Sequence, residues 1–303
     1  MLMIETNNLT KRFGKLTALS NVDIKVRKGE VFGFIGPNGA GKSTTIRILL
    51  GILKATEGEA TIFGKDAWLN AVEIHKKLAY VPGDVNLWPN LTGGEVIDLF
   101  MGLRGDSARP RRDELIEKFN LDPTKKCRTY SKGNRQKVAL ISAFASNADL
   151  YILDEPTSGL DPLMEKVFQD CVLEAKSAGK SVLLSSHILS EVERLCDTVG
   201  IIREGRIIET GSLKELRHLT RTSLTVETKQ PIAGLTQIHG IYDLKQTGQT
   251  LSFQVEANDL DAIMKYISQF GLVKLESAPP TLEDLFMRHY EMNDQNKGVG
   301  GEL

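Results

Sequence analysis

Gly36-Pro37-Asn38-Gly39-Ala40-Gly41-Lys42-Ser43 decides how this chain is read. It has the form G-x-x-x-x-G-K-[ST], with an apolar run, Val31-Phe32-Gly33-Phe34-Ile35, before it and a helical pattern from Thr44 to Gly51 after it. Glycines let the backbone curl until successive N–H groups point into one concavity, where an anionic phosphate replaces their water. The helix that follows aims its positive end at the same spot. Lys42 can then reach the β- and γ-phosphates of a nucleotide, and the Ser43 hydroxyl can ligate Mg²⁺. Gly36, Pro37, Asn38, Gly39, Ala40, Gly41, Lys42, Ser43 and Thr44 are therefore the candidate phosphate-binding residues. The loop says nucleotide; it does not say which machine the nucleotide drives.

Working outward, a second stretch supplies the acids that phosphate chemistry needs. Leu150-Tyr151-Ile152-Leu153-Asp154-Glu155 is four apolar residues closing on two carboxylates. A buried strand would deliver both to the C-terminal edge of a parallel sheet, where open α/β sheets bind ligands. Asp154 is placed to hold Mg²⁺, and Glu155 to orient and deprotonate an attacking water. Upstream, Tyr130-Ser131-Lys132-Gly133-Asn134-Arg135-Gln136-Lys137 opens a helix with a serine and a glycine, which makes a second anion site from a hydroxyl, free N–H groups and a dipole. One chain needs only one γ-phosphate cradle. A second makes sense if it faces another subunit's nucleotide; the alternative is an ordinary serine cap.

The rest of the chain frames these motifs. Val22, Ile24 and Val26 alternate with Asp23, Lys25 and Arg27, so residues 2–28 read as antiparallel strands. Short strands are expected at 60–63 and ending at Tyr80-Val81. From about 86 to 147 the pattern turns helical, with Val96, Leu99, Phe100 and Leu103 on one expected face. Two continuous apolar runs, 150–153 and 181–184, bracket a helix opened by Asp161-Pro162, and Glu204-Gly205 reads as a hairpin turn. Beyond 219 the texture changes to strands at 224–226, 251–255 and 273–275, a helical face of Ala262, Ile263, Tyr266 and Ile267, and a helix start at Thr281.

The expected fold is thus α/β: a P-loop NTPase core with a parallel sheet, an N-terminal antiparallel β subdomain and a helical subdomain within 1–219. A small C-terminal α+β domain follows over 220–291, with a disordered tail at 292–303. Net charge is −1, so no field favours nucleic acid or an acidic membrane surface, and no nucleic-acid partner is expected. The three cysteines lie far apart and read as reduced thiols. Met1-Leu2-Met3-Ile4-Glu5 does not read as an export signal, and no run of about 18 apolar residues marks a membrane span.

In this order the motifs resemble one family, the ATP-binding-cassette (ABC) ATPases. Gly36–Ser43 is similar to its Walker A loop, Ser131-Lys132-Gly133-Asn134 to its signature loop, and Leu150–Glu155 to Walker B with the catalytic glutamate. Ser158-Gly159-Leu160-Asp161 resembles the D-loop and His187 the switch histidine, while Phe13 stands where the adenine-stacking aromatic lies. Taken singly, His187 would flank a helix and Phe13 would belong to a core; only their register with the other motifs promotes them. The resemblance implies ATP and Mg²⁺ as cofactors and Lys42, Glu155 and His187 as catalytic. It adds Phe13, Ser131, Gly133 and Asp161 to the nucleotide contacts.

It further implies a homodimer in which Ser131 and Gly133 of one copy close over ATP held by the other. An integral-membrane permease on a separate chain would be the partner, and the place of action cytoplasmic, on the inner face of the cell membrane. The segment 279–286 resembles the C-terminal extension of exporter-type subunits. A soluble ABC ATPase acting on ribosomes or DNA competes, but such proteins tend to carry two cassettes, a long coiled coil or a basic arm. Two positions depart from the family. Lys132 and Asn134 replace glycine and glutamine, leaving Lys132 either near the partner's γ-phosphate or in solvent. Gly83-Asp84 stands where a glutamine normally contacts Mg²⁺ and water, so Asp84 is either its substitute at the metal or a turn cap.

Overall fold

A computed structural model describes residues 1–105, 109–218, 221–232, 234–235, 239–248, 250–256 and 259–278. The helix start expected at 281 and the tail expected from 292 lie outside the described residues. The chain divides into two compact units, Met1–Thr210 and Gly211–Leu303.

In the first unit, β1 (Leu2–Phe13) and β2 (Leu16–Arg27) form a long antiparallel hairpin. Leu9 faces Val22 and Ile4 faces Val26, all buried, while Asp23, Lys25 and Arg27 stay in water. The chain then enters β3 (Val31–Ile35), buried at every residue, and after the glycine loop turns into α1 (Lys42–Leu49). A strand without a polar face needs cover on both sides, which is why β3 lies inside the sheet and not at its edge. β4 (Glu57–Ile62) and β5 (Lys65–Asp66) complete a four-stranded sheet in the order β2-β1-β4-β5. The short α2 (Ala71–His75) leads to β6 (Leu78–Val81).

Three helices come next: α3 (Gly93–Leu103), α4 (Arg109–Lys118) and α5 (Lys132–Phe144). Thr92 opens α3 with a capping box, its hydroxyl accepting from the Glu95 N–H while the Glu95 carboxylate accepts from the Thr92 N–H. The apolar face of α3 differs from the one expected. Val96, Ile97 and Met101 are buried, whereas Leu99 is 39% and Leu103 73% exposed. The segment carries apolar residues on two arcs, so periodicity does not choose between them. Packing against α5 buries the arc that runs through Gly93, Ile97 and Met101.

The parallel core closes with β7 (Leu150–Asp154), α6 (Pro162–Ser177), β8 (Ser181–Ser186), α7 (Leu189–Leu195), β9 (Thr198–Arg203) and β10 (Arg206–Ser212). The six-stranded order is β10-β9-β3-β8-β7-β6, with β3 parallel to both β8 and β9. Glu204 and Gly205 both have positive φ, the backbone of a two-residue hairpin turn. Phe32, Phe34, Ile46, Leu49, Ile152 and Leu183 anchor the core between the two sheets. Cys127, Cys171 and Cys196 are all buried and free; burial pushes the Cys171 thiol up to about 12 and that of Cys196 further.

The second unit starts before residue 219 because α8 (Leu213–His218) belongs to it. Ser212 caps this helix, its hydroxyl accepting from the Glu215 N–H and donating to the Glu215 carboxylate. β11 (Thr222–Thr228), β12 (Ile241–Thr247), β13 (Thr250–Val255) and β14 (Leu272–Ala278) form an antiparallel sheet ordered β12-β13-β11-β14, with α9 (Leu260–Ser268) between the last two strands in sequence. Leu224, Val226, Phe253 and Val255 pack with Ile263 and Ile267, while Ala262 faces water. β12 escapes a reading by alternation because of a bulge: Tyr242 pairs with Gln254 and Lys245 with Ser252, and Asp243 between them has φ of 50°.

Candidate nucleotide-binding site

The glycine loop runs from the end of β3 to the start of α1, and its neighbours explain its composition. A Cβ on Gly36 would lie 2.2 Å from the Ile202 carbonyl oxygen, so no larger residue fits against β9. Gly41 has φ of 114°, in the left-handed half of backbone space that only glycine adopts readily. The Gly205 N–H donates to the Ala40 carbonyl at 2.9 Å, fixing the loop's far side to the β9–β10 turn. Asn38 and Gly39 are exposed at its crest, and Ser43 is exposed in the first turn of α1.

Lys42 is only 5% exposed, and its ammonium donates to the Gly36 carbonyl at 2.6 Å and to that of Pro37 at 3.3 Å. It lies 3.7 Å from a Glu155 carboxylate oxygen. Burial lowers its pKa, against the pull of Glu155 and Asp154. The other Glu155 oxygen is 3.5 Å from His187 Nδ1. Glu155 thus stands between two nitrogen groups, in a left-handed backbone conformation (φ 47°) that is costly for a non-glycine residue. Two backbone bonds hold it there: its N–H donates to the Ser185 carbonyl and its carbonyl accepts from the Ser158 N–H.

Asp154, 7% exposed at the end of β7, accepts a hydrogen bond from the Ser185 hydroxyl at 2.6 Å. Asp154 and Ser43 offer oxygen donors, and among the described residues no group of three or more His, Cys, Asp or Glu could hold a metal ion. Mg²⁺ fits such a sparse set, because it is held by one or two protein oxygens and completes its shell with water and phosphate. Gly83 abuts this edge: a Cβ there would sit 3.1 Å from the Asp154 carbonyl oxygen. Asp84 is exposed, and among the described residues no hydrogen bond of its side chain supports the turn-cap alternative.

The second anion site is assembled separately. Ser131 caps α5, its hydroxyl accepting from the Asn134 N–H at 3.2 Å, and Asp161 caps α6, accepting from the Met164 N–H at 3.0 Å. Lys132 is exposed, and its ammonium donates to the Ser158 hydroxyl at 2.6 Å. A Cβ on Gly133 would lie 2.5 Å from the Gly159 carbonyl oxygen, so the two loops touch backbone to backbone. Among the described residues, no hydrogen bond or ion pair joins Ser131, Gly133 or Asp161 to the 36–43 loop. Phe13 is 48% exposed at the end of β1, with the Lys11 ammonium 5.1 Å from its ring centre, so it is not a core residue.

The sequence reading passed over three groups at this edge. Ser185 bonds Asp154, Gln136 is buried and donates from Nε2 to the Pro156 carbonyl at 2.9 Å, and Thr157 is buried beside them. The polar pair Ser185-Ser186 ending an apolar strand before His187 was the available signal. Glu155, Thr157, Ser158, Gly159, Ser186 and His187 line a polar cleft of about 240 Å³.

Known proteins resemble this chain. Residues 19–158 match the ABC transporter family, and residues 211–290 match the C-terminal domain of DrrA1-3-like ATP-binding proteins. YhaQ of Bacillus subtilis, described as an uncharacterised ABC transporter ATP-binding protein, is 33% identical over 293 residues, which span 94% of this chain and 97% of YhaQ. The bacitracin transport ATP-binding protein BcrA of Bacillus licheniformis is 31% identical over 301 residues, spanning 94% and 96%. A solved dimer of the cassette MJ0796 in a post-hydrolysis state with ADP and Pi superposes with a TM-score of 0.64 at 26% identity, over 70% of this chain and 99% of that one. With the phosphate loop, the paired acids and the histidine gathered on one sheet edge, the chain belongs to the ATP-binding proteins of ABC transporters.

Proposed function

We propose that this chain hydrolyses ATP to power export by a separate membrane subunit, through head-to-tail pairing of two copies. The observation that carries the reading is Glu155 set between Lys42 and His187, 3.7 and 3.5 Å away, at the end of the strand next to β8. In this reading the loop N–H groups and Lys42 hold the β- and γ-phosphates. Glu155 orients an attacking water and takes its proton, and His187 steadies the γ-phosphate end. Ser43 and Asp154 would hold Mg²⁺, with Asp84 reaching its outer shell through water. Bound there, the ion neutralises charge developing on the phosphate oxygens. Phe13 offers an exposed ring for the adenine.

Ser131 and Gly133 stand apart from their own chain's phosphate loop, which supports a role on the nucleotide of a second copy, with Asp161 beside them. Moving a two-state pair from 1:99 to 99:1 takes roughly 5.5 kcal/mol, which two sandwiched nucleotides can supply. Hydrolysis removes the phosphate both copies grip, and the pair reopens. Among the described residues no helix is long and apolar enough to cross a membrane, so the membrane path is assigned to another protein. Its docking site is placed at 87–91, where Trp88 is 51% exposed beside Phe100 and a cleft of about 290 Å³ opens between Leu87 and Tyr80. In this reading the chain works on the cytoplasmic side of the cell membrane. The bacitracin transport name of one relative supports export.

Glu155→Gln tests the reading. The amide keeps the shape but cannot take a proton at neutral pH, so turnover should fall about 10²–10⁴-fold with ATP binding retained. With ATP and Mg²⁺ the variant should elute as a dimer in size-exclusion chromatography. A monomer at saturating ATP overturns the two-copy model.

A further inference from the structure

One buried acid at this edge has no part in the chemistry above. Glu191 lies in the first turn of α7, four residues after His187, and is 4% exposed. Neither of its carboxylate oxygens makes a well-formed hydrogen bond. The hydroxyls of Ser186, at the end of β8, and Thr157, two residues after Glu155, lie within reach and favour its charged form. The charged groups that act on it are Glu165 on α6 and His187 on its own segment, and it in turn acts on the Cys196 thiol after α7. Burial outweighs the two hydroxyls and raises its pKa.

A helix start accepts an acid gladly, but an exposed one serves that purpose without the cost of burial. The position needs another explanation. Ser186 already accepts from the Ile188 N–H at 3.0 Å, which fixes its hydroxyl at the root of the His187 segment. Thr157, 5% exposed, stands in the segment that leaves Glu155 and whose Pro156 carbonyl Gln136 holds. A buried carboxyl within reach of both hydroxyls therefore lies between the two segments carrying His187 and Glu155.

We propose that Glu191 is a positioning residue for ATP hydrolysis: its buried carboxyl links Ser186 to Thr157 and so keeps His187 in register with Glu155. The proposal rests on the roles assigned above to Glu155 and His187. It gives Glu191 no contact with nucleotide, so nucleotide affinity is not its readout. The readout is kcat, because a displacement of about 1 Å between reacting groups costs on the order of a hundredfold.

The full-length protein is compared as wild type, Glu191→Ala, Glu191→Gln, Thr157→Val, His187→Ala and the Glu191→Ala/His187→Ala pair, using ATP with Mg²⁺. Glu191→Ala should lower kcat about ten- to a hundredfold with KM within about twofold of wild type. Glu191→Gln, a neutral side chain of the same reach, should recover most of that loss. Thr157→Val, which keeps its shape and loses the hydroxyl, should lower kcat by a similar factor and carries the test if Glu191→Ala does not fold. In the pair, the glutamate change should add little to the histidine change. Full additivity, a glutamine variant as slow as the alanine one, or a change confined to thermal stability would each overturn the proposal. A His187→Ala protein with wild-type kcat would instead overturn the role of His187 itself, which keeps the two failures apart.

Discussion

Asp84 is where a single side chain most sharply tests the chemistry. Position 83 lies against the Asp154 backbone, and its glycine brings no oxygen, so the next carboxylate is the available substitute. Asp84→Ala should raise the Mg²⁺ concentration at half-maximal nucleotide binding severalfold and slow turnover, since an outer-shell carboxylate is lost. An unaltered Mg²⁺ curve removes Asp84 from the site. Glu191 makes a second test, through pH. Its folded-state pKa is raised above the ordinary 4.5, so the folded protein holds this proton to higher pH than the unfolded chain does. The stability it contributes is present below the ordinary value and is lost as pH rises through the raised one. Glu191→Gln removes that titration, so its melting temperature should gain on wild type as pH rises above the ordinary 4.5. A pH-independent difference between the two would show that the acid does not titrate in this window. At this scale the sequence pointed to Lys42, Glu155 and His187 through their register within the motif set, and the structure brings the three side chains together. The sequence hid Ser185, Gln136 and Glu191, whose meaning lies in contacts between strands and helices distant along the chain.

Among the elements, α3 shows most plainly where reading by periodicity stops. A helix apolar on two arcs satisfies the same spacing rule in two ways, and only its neighbours decide. Here α5 takes the Ile97–Met101 side and leaves Leu99 and Leu103 in water. Exposed leucines add nothing to the fold, so a double change of Leu99→Gln and Leu103→Gln should alter unfolding free energy by less than about 0.5 kcal/mol. If this arc borders the docking site, the same change should abolish co-purification with a co-expressed membrane partner. Retained co-purification would place the partner elsewhere. The parallel strands were legible for the opposite reason: β3, β7 and β8 are buried at every position, so their apolar runs admit one reading. β12 was not, because its bulge at Asp243 breaks the two-residue period on which strands are recognised.

For the molecule as a whole, every motif of the nucleotide site falls within Met1–Thr210, and the Gly211–Leu303 unit has a core of its own. Removing residues 211–303 should therefore leave a folded protein that binds ATP, with its melting transition still cooperative. A truncated chain that melts without a transition would mean the first unit depends on the second. The division was legible as a change of texture near residue 219. Its place was not, since Ser212 and Glu215 mark a helix start only once their reciprocal bonds are seen. One contact also bears on the chain's descent. A Cβ on Gly133 would meet the Gly159 carbonyl oxygen, a backbone atom present whatever residue stands there, so a mutation at codon 133 cannot be excused by a compensating one at 159. Over generations this glycine is inherited or the lineage loses the junction.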